Sequence, residues 1–238
     1  MTTRIRADQL SMRFKQRGLF HIDTLSIGPA EAIYLKGDNG VGKTTLLKIL
    51  SGLVKPTTGT LNWPNSRWLQ RYFGVWGCKH VIYLHQTPYL FDTSVFNNVA
   101  YGLRFQSLGR QQKRANVIKA LRLVGLETIA NEHISVLSGG EKQRVAMARA
   151  WLLKPSVLLM DEPSASLDAD SIHGLVAMAK DLLGAGTSLV ITSHHHNALT
   201  ALCSKQWWLK DGQLFETPLL HVIDETQPEK DYASTNTN

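Results

Sequence analysis

The 238-residue sequence predicts an α/β protein whose sheet is mostly parallel. Two observations carry that expectation. Short apolar runs alternate with stretches of helical spacing, and strands separated by helices build parallel sheets. One run, "SVLLM" ending at Met160, is apolar at consecutive positions, the pattern of a strand covered on both faces.

In chain order, "AEAIYLKG" reads as a strand entering a glycine-rich turn, and "KTTLLKILSGL" as a helix that stops at a Ser-Gly break. "HVIYLH", residues 80–85, is a second strand. Residues 95–152 change to helical spacing in three stretches, "VFNNVAYGLRF", "QQKRANVIKALRLVGL" and "EKQRVAMARAWLL", and Pro155 closes them. The helical block from about 87 to 152 reads as an insertion into the core. A helix from about Asp168 to Leu183 and the strand "SLVIT" follow "SVLLM". "QWWLK" and "QLFE" flank Asp211-Gly212, a hairpin turn signal. The tryptophan-rich residues 61–79 read as an antiparallel edge with exposed aromatics, without a functional account. The last fifteen residues read as a loose polar tail.

A hydrophobic content of 43% supports a sizeable core. Cys78 and Cys203 are too few for a disulfide framework and lack metal-site spacing. The opening "MTTRIRADQL" has no apolar signal-peptide core, and the apolar runs fall far short of a membrane span. A soluble chain is therefore expected. The net charge of +7 admits nucleic acid, an anionic membrane face or an anionic small ligand as partner. The clusters "KQR" (15–17) and "RQQKR" (110–114) read mainly as solvated faces.

"GDNGVGKTT", residues 37–45, fits G-x-x-x-x-G-K-[ST] between a strand and a helix. Its glycines let successive N–H groups face phosphate oxygens, and the helix start adds positive potential. Lys43 can reach the β- and γ-phosphates, and the Thr44 hydroxyl can ligate Mg²⁺. "VLLMDEP" supplies the carboxylate such a metal needs, Asp161, directly after an apolar strand. Glu162 follows, at the carboxyl edge where α/β sites form, and could orient or deprotonate an attacking water. Alone, the pair could equally cap a turn; beside a phosphate loop the chemical reading is preferred.

"LSGGEKQRVAMARA" opens at Leu137, and Ser138 with Glu141 forms a capping box. Two glycines in that first turn also leave N–H groups open to an anion. One nucleotide needs one such helix start. The second makes sense if it serves a nucleotide held by another copy.

Together, "GDNGVGKTT", Gln86 after a strand, "LSGGEKQR", "VLLMDEP", "SASLD" and a histidine after a strand resemble the ATP-binding subunit of an ABC transporter. The resemblance covers roughly residues 4–216. It implies a P-loop NTPase core with a mostly parallel sheet, an antiparallel β subdomain and an inserted helical subdomain, the ABC ATPase fold. The implied division is core over 1–86 and 153–223, helical signature subdomain over 87–152, and a polar tail over 224–238. Gly37, Asp38, Asn39, Gly40, Val41, Gly42, Lys43, Thr44 and Thr45 would bind ATP. Thr44, Gln86 and Asp161 would hold Mg²⁺, with Glu162 and His194 catalytic. Leu137, Ser138, Gly139, Gly140 and Glu141 would serve ATP in a second copy, and Asp168 would cross the dimer axis. Phe14 stands where the family often stacks a tyrosine on adenine; Phe20 is a rival, and core packing suits either. The resemblance also implies a homodimer, integral membrane permease subunits, a substrate-binding protein and a place on the cytoplasmic membrane face, without direct nucleic acid. "TPYLFDTSVFNNVAYGL" resembles bacterial importer subunits, and its run "TPYLF" is similar to that of tungstate-type oxyanion importers, with amino-acid and phosphate importers open. The competing class is a soluble ABC-type ATPase acting on nucleic acid or ribosomes, although such proteins usually carry two cassettes or long arms.

"SHHHN", residues 193–197, raises the question of a metal cluster. Adjacent residues point in different directions on a strand or a helix, so convergence of three is not expected. His194 is the first residue past the strand end and would face the γ-phosphate; His195 and His196 would open the next helix, in solvent. His194→Ala should therefore cut ATP hydrolysis by roughly 10²-fold, the scale of one positioned transition-state donor. His195→Ala and His196→Ala should each stay near wild type. Steady-state assays of the three single variants check this asymmetry.

Overall fold

The computed structural model describes residues 5–63, 81–165, 167–194 and 196–219. Strands β1 (Ile5–Phe14) and β2 (Arg17–Ile27) form an antiparallel hairpin. β3 (Ala32–Lys36) leads into helix α1 (Lys43–Leu50), and β4 (Thr58–Asn62) returns antiparallel to β1. β5 (Val81–Leu84) is followed by three helices: α2 (Val95–Ala100), α3 (Arg110–Leu123) and α4 (Gly139–Leu153). Then come β6 (Val157–Met160), α5 (Ala169–Gly184), β7 (Ser188–Thr192), β8 (Lys205–Lys210) and β9 (Gln213–Pro218).

The main sheet runs β5-β6-β7-β3-β8-β9, parallel except for the terminal β8–β9 hairpin. A separate antiparallel sheet runs β2-β1-β4. The expected α/β class, the mostly parallel sheet and the helices between β5 and β6 are all present.

The unbroken apolar runs follow from burial on both sheet faces. Ile33, Leu35, Val157, Leu159 and Val190 join α1 and the inward residues of the antiparallel sheet in one core. Their strand neighbours Tyr34, Leu158, Met160, Leu189 and Ile191 face the other way and pack with α2 to α5. Each fully buried large side chain contributes about 1.5–3 kcal/mol, so neither face tolerates a charge.

Three local expectations are corrected. Trp63, expected on an exposed edge, is buried, and its indole N–H donates to the Leu50 carbonyl at 2.9 Å; residues 64–80 lie outside the described residues. The helical stretch 95–105 is not one helix, because α2 gives way to a 3₁₀ turn over Tyr101–Phe105. No α-helix opens at His196. Asn197 Oδ1 there accepts from the N–H groups of Leu199 and Thr200, each at 3.0 Å, and only a short 3₁₀ turn, Thr200–Leu202, follows. A side chain that bonds its own backbone in this way competes with helix formation. The polar tail and His195 lie outside the described residues.

Asn98 fastens the segment that follows Gln86. It is fully buried in α2; its Nδ2 donates to the carbonyls of Phe91 and Ser94, and its Oδ1 accepts from the Phe91 N–H. Asn98→Ala orphans these groups and should lower stability by about 2–4 kcal/mol, read from urea denaturation of the full chain.

Candidate functional site

The glycine-rich loop spans the gap between the end of β3 at Lys36 and the start of α1 at Lys43. Two of its glycines are required sterically. A Cβ on Gly37 would lie 2.5 Å from the Leu209 carbonyl oxygen. Gly42 caps α1 with φ near +114°, and a Cβ there would lie 2.9 Å from Leu19. The loop therefore packs against β8 at one end and β2 at the other. Lys43 is buried, and its Nζ donates to the Gly37 carbonyl at 2.6 Å and the Asp38 carbonyl at 3.1 Å. The ammonium is thus curled over the loop it serves.

Across from the loop, β6 and β7 end side by side, with Met160 paired to Ile191. Asp161 and Glu162 follow β6, and both are buried. The Asp161 carboxylate accepts from the Tyr83 hydroxyl at 2.8 Å and from the Thr192 hydroxyl at 2.9 Å. The same Thr192 oxygen accepts from the Glu162 N–H at 2.9 Å. Glu162 holds a left-handed backbone, φ near +50°, uncommon for a residue with a side chain. His194, just past β7, places Nε2 3.3 Å from Glu162 Oε1. Burial and the Asp161 carboxylate push the Tyr83 phenol well above its ordinary range, so it stays a donor. Burial and nearby Lys48 lower His85, the neighbour of Gln86.

These groups open onto one cavity of about 590 Å³. Of the residues singled out from the sequence, it is lined by Phe14, Asp38, Asn39, Gly40, Gly42, Lys43, Thr44, Thr45, Gln86, Asp161, Glu162 and His194. Gly37 packs instead on Leu209, and Val41 packs at the edge of the core. Phe14 is 54% exposed and Phe20 only 4%, so Phe14 is the one with a free ring face; Phe20 is core. Arg17 and Leu19 also line the cavity. Arg17, expected on a solvated face, is exposed but lines this cavity. Its place directly after the two-residue turn at 15–16, paired with Phe14, is the signal that could have flagged it. Hydroxyl, amide and carboxylate oxygens from Thr44, Gln86 and Asp161 share the cavity, a hard donor set that suits Mg²⁺.

Leu137, Ser138, Gly139, Gly140 and Glu141 do not line this cavity. They form the start of α4, where the Glu141 N–H donates to Ser138 Oγ and the Glu141 carboxylate accepts from Ser138 N at 2.8 Å. These bonds hold the Glu141 carboxyl below its usual range. Ser138 and Gly139 remain exposed. Asp168 caps α5, accepting from Ser171 N at 2.9 Å. Of the histidine run, His194 meets Glu162, whereas the His196 ring meets Tyr34 edge-on with centroids 5.3 Å apart. The two rings thus go to different partners.

The family model described as ABC transporter matches residues 20–165. The chain is 34% identical over 199 residues to the taurine import ATP-binding protein TauB of Pseudomonas aeruginosa, covering 81% of this chain and 73% of that protein. It is 30% identical over 230 residues to an energy-coupling factor transporter ATP-binding protein of Ligilactobacillus salivarius, covering 94% of this chain and 78% of that one. A solved structure of the ATP-binding subunit of an ABC transporter matches with a TM-score of 0.80 at 23% identity, over 90% of each chain; that likeness is one of fold.

Gly42→Ala adds a Cβ where the backbone is left-handed and Leu19 leaves no room. It should weaken ATP binding by about tenfold or more, the scale of a strained loop residue, as titration calorimetry of the full chain would read.

Proposed function

The chain belongs to the ABC transporter family, whose model it matches over residues 20–165, and we propose that it drives a solute importer by closing head to tail with a second copy around ATP. The observation that carries this reading is the separation of two groups of residues. The phosphate loop, Asp161, Glu162 and His194 share one cavity, while the exposed start of α4 at Ser138 and Gly139 lies outside it. A helix start with free N–H groups suits a phosphate, and a second copy can bring one.

In this reading the loop N–H groups and Lys43 bind the β- and γ-phosphates, and Phe14 offers its ring face to adenine. Thr44, Gln86 and Asp161 would hold Mg²⁺, which when bound would neutralise charge on the phosphates. Glu162 takes the proton of the attacking water. His194 steadies Glu162 from 3.3 Å and donates toward the γ-phosphate. Asp168 lies at the dimer axis. The domain division is core over 1–86 and 153–223 around a helical subdomain over 87–152.

Membrane permease subunits would dock on the face that follows Gln86. Two adjoining grooves there, of about 500 and 480 Å³, share Ala100 and Arg104. The first is lined by Phe96 and Leu108 together with Arg104, Arg110, Lys113 and Arg114. Its charge suits an acidic partner segment. No helix among the described residues is long and apolar enough to cross a membrane, and attachment to the cytoplasmic membrane face would run through these permeases. The import direction is supported by likeness to import subunits such as that for taurine.

Head-to-tail closure is tested with Glu162→Gln. Binding should persist while turnover nearly stops, so sedimentation with ATP and Mg²⁺ should show dimer accumulating. A purely monomeric variant would count against closure. Ser138→Arg should abolish hydrolysis while ATP binding by isolated monomers is kept.

A further inference from the structure

We propose that Thr192 is a positioning residue for hydrolysis, its single hydroxyl fixing Asp161 and Glu162 relative to one another, with Tyr83 completing the clamp. This rests on the ATPase reading above.

Thr192 is the last residue of β7 and is fully buried. The four residues before it, "SLVI", are buried as well. Valine would fill this strand end with the same shape, better strand propensity and no polar atom to desolvate. The hydroxyl is therefore informative, and both of its functions are used. Its proton goes to Asp161 Oδ1 at 2.9 Å; the Met160 carbonyl, at 3.5 Å, is the poorer acceptor. Its lone pair receives the Glu162 N–H at 2.9 Å.

The consequences differ for the two carboxylates. Asp161 has one oxygen on Thr192 and the other on the Tyr83 hydroxyl, at 2.8 Å. Rotation of the carboxylate breaks both bonds, so its remaining lone pairs keep one direction, as a metal ligand requires. Glu162 is fixed through its backbone. Its left-handed conformation, φ near +50°, is one that a residue with a side chain leaves readily unless held. The N–H bond to Thr192 holds it, and that sets where the side chain emerges to meet His194. Thr192 does not line the cavity; it acts through its two neighbours.

The test uses the full chain carrying Thr192→Val, Thr192→Ser or Tyr83→Phe. Three quantities are read: kcat, Mn²⁺ binding by electron paramagnetic resonance with a non-hydrolysable ATP analogue, and Tm. Thr192→Val should lower kcat about 10- to 100-fold and weaken Mn²⁺ binding about tenfold, the range for partners of metal ligands. Thr192→Ser should restore both. Tyr83→Phe should weaken Mn²⁺ binding with a smaller loss of kcat. The proposal is overturned if Thr192→Val changes only Tm, or if Thr192→Ser is as impaired as Thr192→Val, since the methyl would then be what matters. If Thr192→Val does not fold, unaltered Mn²⁺ binding in Tyr83→Phe still overturns the clamp. Wild-type protein that hydrolyses ATP while the variants match it removes this inference alone; wild-type protein without ATPase activity removes the reading beneath it.

Discussion

The parallel pairing of β3, β7 and β6 is the constraint from which the site follows. Parallel neighbours end on the same side of a sheet, and these three bring Lys36, Thr192 and Met160 to one edge. The loop after β3 presents N–H groups and Lys43; the turn after β6 presents two carboxylates; the loop after β7 presents His194. No long-range reach by flexible side chains is needed. Double-sided burial fixes the register, since a one-residue slip would exchange the two apolar faces.

The charges at that edge are held by neutral groups. Asp161 is bonded to two hydroxyls, and Lys43 to two carbonyls. A salt bridge between them would use up the cation and anion proposed to meet a phosphate and a metal. Hydrogen bonds from and to uncharged partners satisfy the buried groups while leaving their charge available. Such preorganisation leaves little to rearrange when charge develops.

Whatever a contiguous motif encodes was legible in the sequence. Most residues of "GDNGVGKTT" and the acidic pair of "VLLMDEP" line the cavity, and the runs read as strands recur as strands, because period and turn chemistry are local properties. What was missed depends on which strands become neighbours. Thr192 and Tyr83 look like ordinary strand residues until β5, β6 and β7 are laid side by side. Phe14 and Phe20 are equivalent in the string; Phe20 pairs with Met12 in the core, whereas Phe14 lies past the register shift between Met12 and Arg13, at the exposed hairpin end beside the cavity. Asn197, whose amide replaces an expected helix start with a turn, carried a recognisable local signal that the histidine run overshadowed.

The left-handed turn at Glu162 sets the folded state and the chemistry at odds. A glycine there would relax the backbone and remove a buried carboxylate, so the fold gains from losing the residue proposed to take the proton of the attacking water. Variant libraries ranked by thermal resistance or expression level will therefore enrich dead proteins at this position.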